Sequence, residues 1–410
     1  MTDLPAFAIV GMGGFARTHL SYIRKTEEAG LGRHVAQVAI PADQERYPEE
    51  ISDLKSHGVE IYASLREMLA TARDRIDVTC IPTGIPLHRP MATAALEAGT
   101  HVLVEKPAAG CIQDVDAMLR ARDHSGKHCA VGYQHLYRPD TQRIKAWVCE
   151  GRLGKIRRIR TFGCWPRGRT YYTRNGWAGR LSVEDTWVLD SPHNNALAHA
   201  VNAMNYLACS RPGESAVPLS IQAELYRANP IASADTAVFR ATTDEGAEIF
   251  FAVSHCTDQT LHPVTIIEGE RGRVEWSYYG ETKVRWSDGS EQTFEKPEAS
   301  PRVAEDVAEV LLGRKASLYG PLDVARAQTL CICGTFESSA IHDLPSNLRI
   351  EDPETGITAV RGMTEAVLRA HENAALFSEL GLPWARAGDR ISLEGYRYFP
   401  TFRQDVEKNG

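Results

Sequence analysis

The sequence of 410 residues lacks any apolar run that approaches a membrane-spanning helix, which needs about 20 residues. It also lacks the Cys-x-x-Cys and His-Glu-x-x-His spacings of common zinc sites and the Gly-x-Ser-x-Gly turn that carries the nucleophile of many hydrolases. We therefore expect no membrane span, no bound metal and no serine hydrolase of that type.

Excess positive charge is absent as well, since 46 Lys and Arg residues stand against 53 Asp and Glu residues, for a net charge of -7. A chain of this sign is poorly suited to neutralise phosphates, so we expect no nucleic-acid partner. The nine cysteines are scattered and odd in number, which suits a reducing compartment better than a disulfide framework. The first residues carry no basic region of a signal peptide, and we expect a cytoplasmic protein.

The apolar pattern divides the chain into two parts. Up to residue 135, buried-strand runs such as residues 7–10 and 101–104 alternate with helical patterns, as in a parallel, doubly wound α/β sheet. Residues 156–286 instead contain strand-like runs separated by turns, which predict a mainly antiparallel sheet. Because a single core stops growing near about 250–300 residues, we predict two domains, residues 1–135 and 136–410.

A glycine-rich segment follows the first predicted strand and opens the first helix. Gly11, Gly13 and Ala16 form Gly-x-Gly-x-x-Ala, which allows a tight turn, close approach to a pyrophosphate and close helix packing. A plain turn is the alternative interpretation. The acidic residue expected at the end of the second strand is missing, because Asp43 comes late and Arg46 lies just beyond it. The sequence therefore predicts a dinucleotide site and leaves NAD and NADP both open.

Lys106 stands at the carboxyl end of the fifth predicted strand, the edge at which doubly wound sheets bind ligands. Because Pro107 follows it, the lysine backbone is restricted to extended geometry. A lysine held there can donate a hydrogen bond to an alcohol or carbonyl oxygen. The alternative interpretation is a surface ion pair with Glu105 at the end of the strand.

Four segments carry a specific family pattern: residues 11–16 followed by His19, residues 81–88, residues 94–107 and residues 131–134. Together they resemble the Gfo/Idh/MocA oxidoreductases, named for glucose–fructose oxidoreductase and inositol dehydrogenase, although the usual Thr-Pro is Thr83-Gly84 here. The resemblance implies an N-terminal Rossmann domain and a C-terminal α+β domain with a large, mostly antiparallel open sheet. It also implies NAD or NADP as cofactor, a homodimer or homotetramer, and these cofactor-binding residues: Gly11, Gly13, Gly14, Phe15, Ala16, Thr83, His88, Glu105, Lys106 and Gln134.

The family carries Asp-x-x-x-His-x-x-Asp on a helix, and Asn195, His199 and Asn202 match this spacing. On one continuous helix these residues and Tyr206 fall on a single polar stripe. An ordinary amphipathic helix is the alternative interpretation. The resemblance implies that His199 is a general base for a substrate hydroxyl, with Lys106 as the second catalytic residue, and that both asparagines position the substrate or the imidazole.

Both usual carboxylates of that motif are asparagines here. Asn202 can orient an imidazole by hydrogen bonding, but it cannot stabilise an imidazolium by charge. Asp185 or Asp190, in the preceding loop, is the candidate for the missing charge. His193 is the rival to His199, and it ranks second because it lies off the stripe.

Residues 151–183 contain nine Lys and Arg residues, no acidic residue and several aromatic ones. Arginines bind carboxylates and phosphates in bidentate geometry, and aromatic faces pack on sugar rings. We therefore expect a carbohydrate-like substrate with an anionic group, whereas a solvated strand edge or a subunit contact is the alternative. The expected substrate-binding residues, besides the two asparagines, are Gln134, Trp165, Arg167, Arg169 and Tyr171.

These observations predict an NAD(P)-dependent oxidoreductase that transfers hydride between a nicotinamide and a secondary hydroxyl of a sugar, sugar acid or cyclic polyol. One alternative is a redox-neutral enzyme that cleaves glycosides while a tightly held NAD is transiently reduced. A second is a non-catalytic nucleotide-binding regulator, against which the presence of both Lys106 and His199 argues.

Overall fold

The computed structural model of the protein describes residues 4–298, 302–403 and 406. Within this range the chain forms two compact units, each built from more than one stretch of sequence. The first unit contains residues 4–109, 114–137 and 302–325, and the second contains residues 110–113, 138–298 and 326–403.

Most of the described helices are short, and the first six of them connect successive strands of the first unit. They are α1 (Phe15–Glu28), α2 (Pro41–Arg46), α3 (Pro48–Ser56), α4 (Leu65–Ala72), α5 (Ile85–Glu97), α6 (Ile112–Ser125), α7 (Pro139–Cys149), α8 (Arg169–Tyr172), α9 (Ala198–Ala208), α10 (Val303–Leu311), α11 (Leu322–Ser338) and α12 (Met363–Asn373). In the described ranges, no helix has both the length and the apolar character that a membrane crossing requires.

The first unit is built on a six-stranded sheet in which every pairing is parallel. Its strands are β1 (Ala6–Val10), β2 (Arg33–Val38), β3 (Glu60–Tyr62), β4 (Val78–Ile81), β5 (His101–Val104) and β6 (Cys129–Val131). The order is β3-β2-β1-β4-β5-β6, so the direction of winding reverses between β1 and β4. The carboxyl ends of these two strands border the crevice in which such sheets bind ligands, and the predicted doubly wound Rossmann sheet is confirmed.

The second unit contains a ten-stranded sheet in the order β16-β15-β14-β13-β7-β12-β11-β10-β17, with β20 beside β10. Its strands are β7 (Ile156–Cys164), β10 (Pro218–Arg227), β11 (Thr236–Thr243), β12 (Glu248–Ser254), β13 (Leu261–Gly269), β14 (Gly272–Trp276), β15 (Thr282–Trp286), β16 (Glu291–Phe294), β17 (Ile341–Asp343) and β20 (Ile391–Ser392). Only the β7–β12 and β10–β17 pairs are parallel among these described strands. The predicted large, mostly antiparallel open sheet is confirmed. Two small hairpins pair β8 (Ser182–Val183) with β9 (Thr186–Trp187) and β18 (Arg349–Glu351) with β19 (Thr358–Val360).

Helices of the same unit cover both faces of this sheet. Successive side chains of a strand point to opposite faces, and Phe250 belongs to the core cluster that contains Met363 and Val367 of α12. Phe251 packs on the other face against Phe239, with ring centroids 5.5 Å apart. Helix α9 packs against β7. The predicted histidine helix is therefore anchored directly on the central strand of the sheet.

A single boundary at residue 135 differs from the observed division, because residues 302–325 return to the first unit. Helix α10 packs against α1. The N–H of Val131, at the end of β6, donates to the carbonyl of Gly320 over 2.8 Å. These contacts join segments that lie far apart in the sequence, so the periodicity of residues 302–325 by itself does not reveal which unit they join.

Candidate functional site

The glycine loop forms a cradle between β1 and α1. Gly11 and Gly14 have φ angles of 98° and 56°, a region that side chains disfavour. A Cβ atom at Gly13 would lie 2.7 Å from the hydroxyl oxygen of Tyr47. In the described part of the chain, the N–H groups of Gly13 and Gly14 donate to no other group. Free N–H groups at the start of a 14-residue helix fit a pyrophosphate.

The two remaining residues of the predicted motif take different positions. Ala16 is buried, which agrees with close packing of α1 on the sheet, whereas Phe15 is 50% exposed. Tyr47 was missed by the sequence analysis, although the guanidinium carbons of Arg17 and Arg46 lie 5.3 and 5.4 Å from its ring centroid. No local pattern marks this tyrosine, because it reaches the glycine loop from the segment between α2 and α3.

The carboxylate of Glu105 organises the carboxyl end of β5. It accepts hydrogen bonds from the Nε2 atoms of His19 at 3.1 Å and Gln134 at 3.2 Å, and from the backbone N–H of Lys106 at 3.1 Å. Burial raises the pKa of Glu105, but the hydrogen bond from His19 and the nearby charges outweigh it, so the net pKa is lowered. A Cβ at Gly132 would lie 2.7 Å from this carboxylate. The alternative of a surface ion pair is wrong for Glu105, which is 3% exposed.

His88 connects the segment after β4 to the segment after β5. Its Nδ1 lies 2.8 Å from the carbonyl of Pro107 and its Nε2 lies 3.0 Å from that of Thr83. Burial lowers the pKa of this imidazole. Both ring nitrogens thus face protein carbonyls, and the neutral imidazole donates its one N–H to one of them. The buried hydroxyl of Thr83, in contrast, finds no hydrogen-bond partner among the described residues, and such an orphaned group suits a ligand.

The predicted continuous helix from Asn195 is wrong. Pro192–Ala196 form one π-helical turn, Leu197 leaves the helical region at φ -117° and ψ 18°, and α9 begins at Ala198. A Cβ at Gly163 would lie 2.7 Å from a methyl of Leu197, so this leucine packs closely on the end of β7. Counting 100° per residue across this break is invalid, and Asn195 does not share the helical register of His199.

Each predicted polar residue near α9 now has a defined position. His199 is partly exposed in the first turn of α9, and Asn202 is fully buried. The Nδ2 of Asn195 donates to Asp190 over 2.8 Å. The backbone N–H of Gly179 donates to the same carboxylate over 2.6 Å. Asp190, one of the two candidates for the missing negative charge, is therefore fixed next to Asn195 by hydrogen bonds.

His193, the rival base, lies in the core of the second unit. Its Nε2 is 3.0 Å from the hydroxyl of Thr335, and its ring stacks on Phe336 with centroids 5.7 Å apart. Burial lowers the pKa of His193 to about 3. A fully enclosed, neutral imidazole with these contacts does not reach a substrate.

The basic loop separates into two groups of residues. Three arginines of β7 pair with glutamates of β12, of β13 and of the turn after β13, and exposed Arg169 pairs with Glu351 over 3.1 Å. These arginines are therefore already paired with glutamates, although β7 is a central strand of its sheet and Arg169 lies in α8. The pairs in β7 are Arg157–Glu270 at 3.7 Å, Arg158–Glu248 at 2.7 Å and Arg160–Glu268 at 3.2 Å.

Arg167 differs from these four arginines. Its guanidinium carbon lies 5.3 Å from the ring centroid of Trp165 and 5.1 Å from that of Tyr171. It forms no ion pair with any residue that the structure describes. The structure thus brings together three of the predicted substrate-binding residues, whereas Arg169 points to its own glutamate.

Residues 6–133 match the family described as "Oxidoreductase family, NAD-binding Rossmann fold" (GFO_IDH_MocA). The 4-carboxy-2-hydroxymuconate-6-semialdehyde dehydrogenase of Sphingobium sp. is 27% identical over 146 residues, which are 36% of this chain and 44% of that protein. The inositol 2-dehydrogenase/D-chiro-inositol 3-dehydrogenase of Halalkalibacterium halodurans is 23% identical over 202 residues, 49% of this chain and 52% of that protein. The matches thus span about half the length of these curated relatives.

Among solved structures, the WlbA dehydrogenase from Bordetella pertussis, in complex with NADH and UDP-GlcNAcA, resembles this chain with a TM-score of 0.65 at 22% identity. The likeness covers 82% of this chain and 96% of that one. It shows that both units share the fold of that dehydrogenase.

Proposed function

We propose that this chain is an NAD- or NADP-dependent dehydrogenase of the Gfo/Idh/MocA type, because residues 6–133 match the NAD-binding Rossmann fold of that family. Its substrate class is a small carbohydrate-like molecule: a sugar, sugar acid or cyclic polyol with a secondary hydroxyl. The supporting observation is the glycine cradle of β1 together with Lys106, which Glu105 fixes at the carboxyl end of β5 in the same sheet. An expected homodimer or homotetramer stays a prediction.

The residues of the first unit fit a bound dinucleotide. The free N–H groups of Gly13 and Gly14 receive the pyrophosphate, and the orphaned hydroxyl of Thr83 is available at the carboxyl end of β4. His88 and Glu105 act as positioning residues, since their polar atoms already bind protein groups. Gln134 shares the Glu105 carboxylate and is expected at the boundary between cofactor and substrate.

The choice between NAD and NADP rests on the residues after β2. Ile40 is 50% exposed where a carboxylate would hold the ribose hydroxyls of NAD. Arg17 pairs with Glu50 over 3.1 Å, whereas Arg46 forms no ion pair with a described residue. Titration with both reduced cofactors measures which of them the chain prefers.

A nicotinamide cofactor held by the glycine cradle would supply the acceptor for the hydride of the carbinol carbon. His199 takes the hydroxyl proton as general base, so one C–H and one O–H bond break while a C=O bond forms. Lys106 is the residue expected to donate a hydrogen bond to the reacting oxygen and to stabilise its developing negative charge. Asn202 is the residue expected to orient the imidazole, and Asn195 holds Asp190 beside the start of α9.

Replacing Gly13 by alanine is expected to weaken the binding of NADH and NADPH by about 10-fold or more, which is 1.4 kcal/mol. The added methyl would occupy the position in which the backbone approaches the pyrophosphate. Because it would also meet the Tyr47 hydroxyl, the substitution is compared in a Tyr47→Phe background, where the nearest remaining ring atom lies 3.5 Å away. Cofactor fluorescence on binding measures both affinities. Equal affinities of Tyr47→Phe with and without Gly13→Ala would contradict the proposed site.

A further inference from the structure

The ring of Tyr171 is surrounded by three nitrogen-bearing groups of the second unit. The guanidinium carbons of Arg174 and Arg167 lie 3.7 and 5.1 Å from its centroid. The imidazole centroid of His255 lies 5.4 Å away in an edge-on arrangement. Arg167 follows β7 and His255 follows β12, two parallel neighbours, so both residues lie at the same end of the sheet. Their backbones are joined by a hydrogen bond of 3.1 Å from the N–H of Arg167 to the carbonyl of His255.

The polar atoms of this cluster are poorly satisfied within the protein. Arg167 donates a long bond of 3.4 Å to the adjacent carbonyl of Pro166, and its buried Nε has no partner among the described residues. His255 is 1% exposed, and in the same described range its Nε2 also has no partner. Its Nδ1 lies 3.4 Å from the hydroxyl of Tyr172. Buried polar nitrogens without partners are uncommon, and two residues of this cluster each carry one.

The charge of the cluster is positive and only partly balanced. Arg174 is 3.9 Å from Asp190, whose carboxylate already accepts two closer hydrogen bonds, from Gly179 and Asn195. Arg167 has no carboxylate in ion-pair contact within the described residues. Burial, and then the charges of Arg167 and Arg174, hold the pKa of His255 well below its ordinary value, so the imidazole is neutral. Two guanidinium groups beside a neutral imidazole favour an oxyanion.

Aromatic side chains extend this surface. Trp165 precedes Arg167 by two residues in the sequence. Its ring centroid is 6.1 Å from that of His262 and 6.0 Å from that of Tyr279. The rings of His262 and Tyr279 stack at 4.3 Å. Flat rings beside a cationic group suit the apolar face of a sugar whose oxyanion reaches the arginines.

We propose that Arg167 and Arg174, stacked on Tyr171 and backed by His255, bind an oxyanion carried by the carbohydrate substrate. The proposal rests on the dehydrogenase function above and narrows its substrate class to sugar acids and sugar phosphates. Arg174 and His255 are additional specificity residues that the sequence pattern did not identify. Neutral sugars and polyols lack the group that neutralises this cluster, so they bind weakly.

Calorimetric titration with D-glucuronate, D-glucose 6-phosphate and neutral D-glucose tests this proposal. The protein should bind at least one of the two anions about 10-fold or more tightly than D-glucose, and the two anion arms tell a carboxylate from a phosphate. Arg167→Met should remove that preference. Arg169→Met is the matched control, two residues away but exposed and paired with Glu351, and it should keep the preference.

Several results overturn the proposal: no preference for either anion at millimolar concentration, an unchanged preference in Arg167→Met, or an equal loss in Arg169→Met. Thermal unfolding checks that each variant is folded. If Arg167→Met does not fold, Arg174→Met provides the same test from the other side of the Tyr171 ring. The unsubstituted protein is also titrated with NADH. If it does not bind NADH, the proposed dehydrogenase function is contradicted, whereas the measurement of anion binding can still be interpreted.

Discussion

Replacing His199 by alanine should lower kcat for the oxidation of the substrate by about 10²–10⁴-fold, the usual contribution of a positioned general base. The affinity for NADH should stay within about twofold of that of the unsubstituted protein, because the glycine cradle belongs to the other unit. A general base stabilises the transition state and does not contribute to binding of the cofactor. Added imidazole should restore part of the lost activity, which a merely structural histidine would not allow. Lys106→Met should produce a comparable loss of kcat, since it removes a donor to the reacting oxygen.

The matched control for this loss lies on the same helix. Tyr206 was predicted on the polar stripe, but its hydroxyl donates to Gln142 over 3.2 Å, so Tyr206→Phe should leave kcat within a few-fold of the unsubstituted enzyme. Activity within tenfold of that enzyme in the double variant Lys106→Met, His199→Ala would contradict both assignments. Cleavage of a glycoside without net formation of reduced cofactor would instead favour the redox-neutral alternative.

The glycine loop and the parallel sheet could be predicted because their signals are local. Gly11 and Gly13 stand directly between a buried strand and a helix, and the strands of the first unit are short apolar runs bounded by turns. Lys106 could be placed at a strand end for the same reason. The role of Glu105 could not, because its partners His19 and Gln134 come from segments distant in sequence.

The second unit shows where reasoning from periodicity fails. The stripe that joined Asn195 to His199 assumed an unbroken α-helix, and the π-turn ending at Leu197 changes the register. Likewise, a count of positive residues treats Arg169 and Arg167 alike. Only the fold shows that Glu351 neutralises the first, whereas the second meets His255 at the end of a neighbouring strand.

The stability of the protein should fall steeply as the pH drops below about 6.5, before most carboxylates are protonated. Burial lowers the pKa of His34 and His371 to about 4 and that of His193 to about 3, from an ordinary value of 6.5. Because the folded pKa lies below the unfolded one, the unfolded chain takes up protons that the folded chain excludes. The free energy of unfolding is therefore highest above pH 6.5. Each of these histidines lowers it as the pH falls from 6.5 to the folded pKa of that histidine.

The size of this effect follows from the shifts. One pKa unit corresponds to about 1.4 kcal/mol, so well-buried His34 and His193 each account for several kcal/mol, against a total stability of about 5–15 kcal/mol. Urea midpoints measured between pH 8 and pH 5 should therefore decrease continuously below pH 6.5. His193→Phe keeps a ring against Phe336 and removes one titrating group, so its midpoint should depend less on pH. A midpoint that is constant from pH 7 to pH 5 would show that these imidazoles are hydrated in the folded chain.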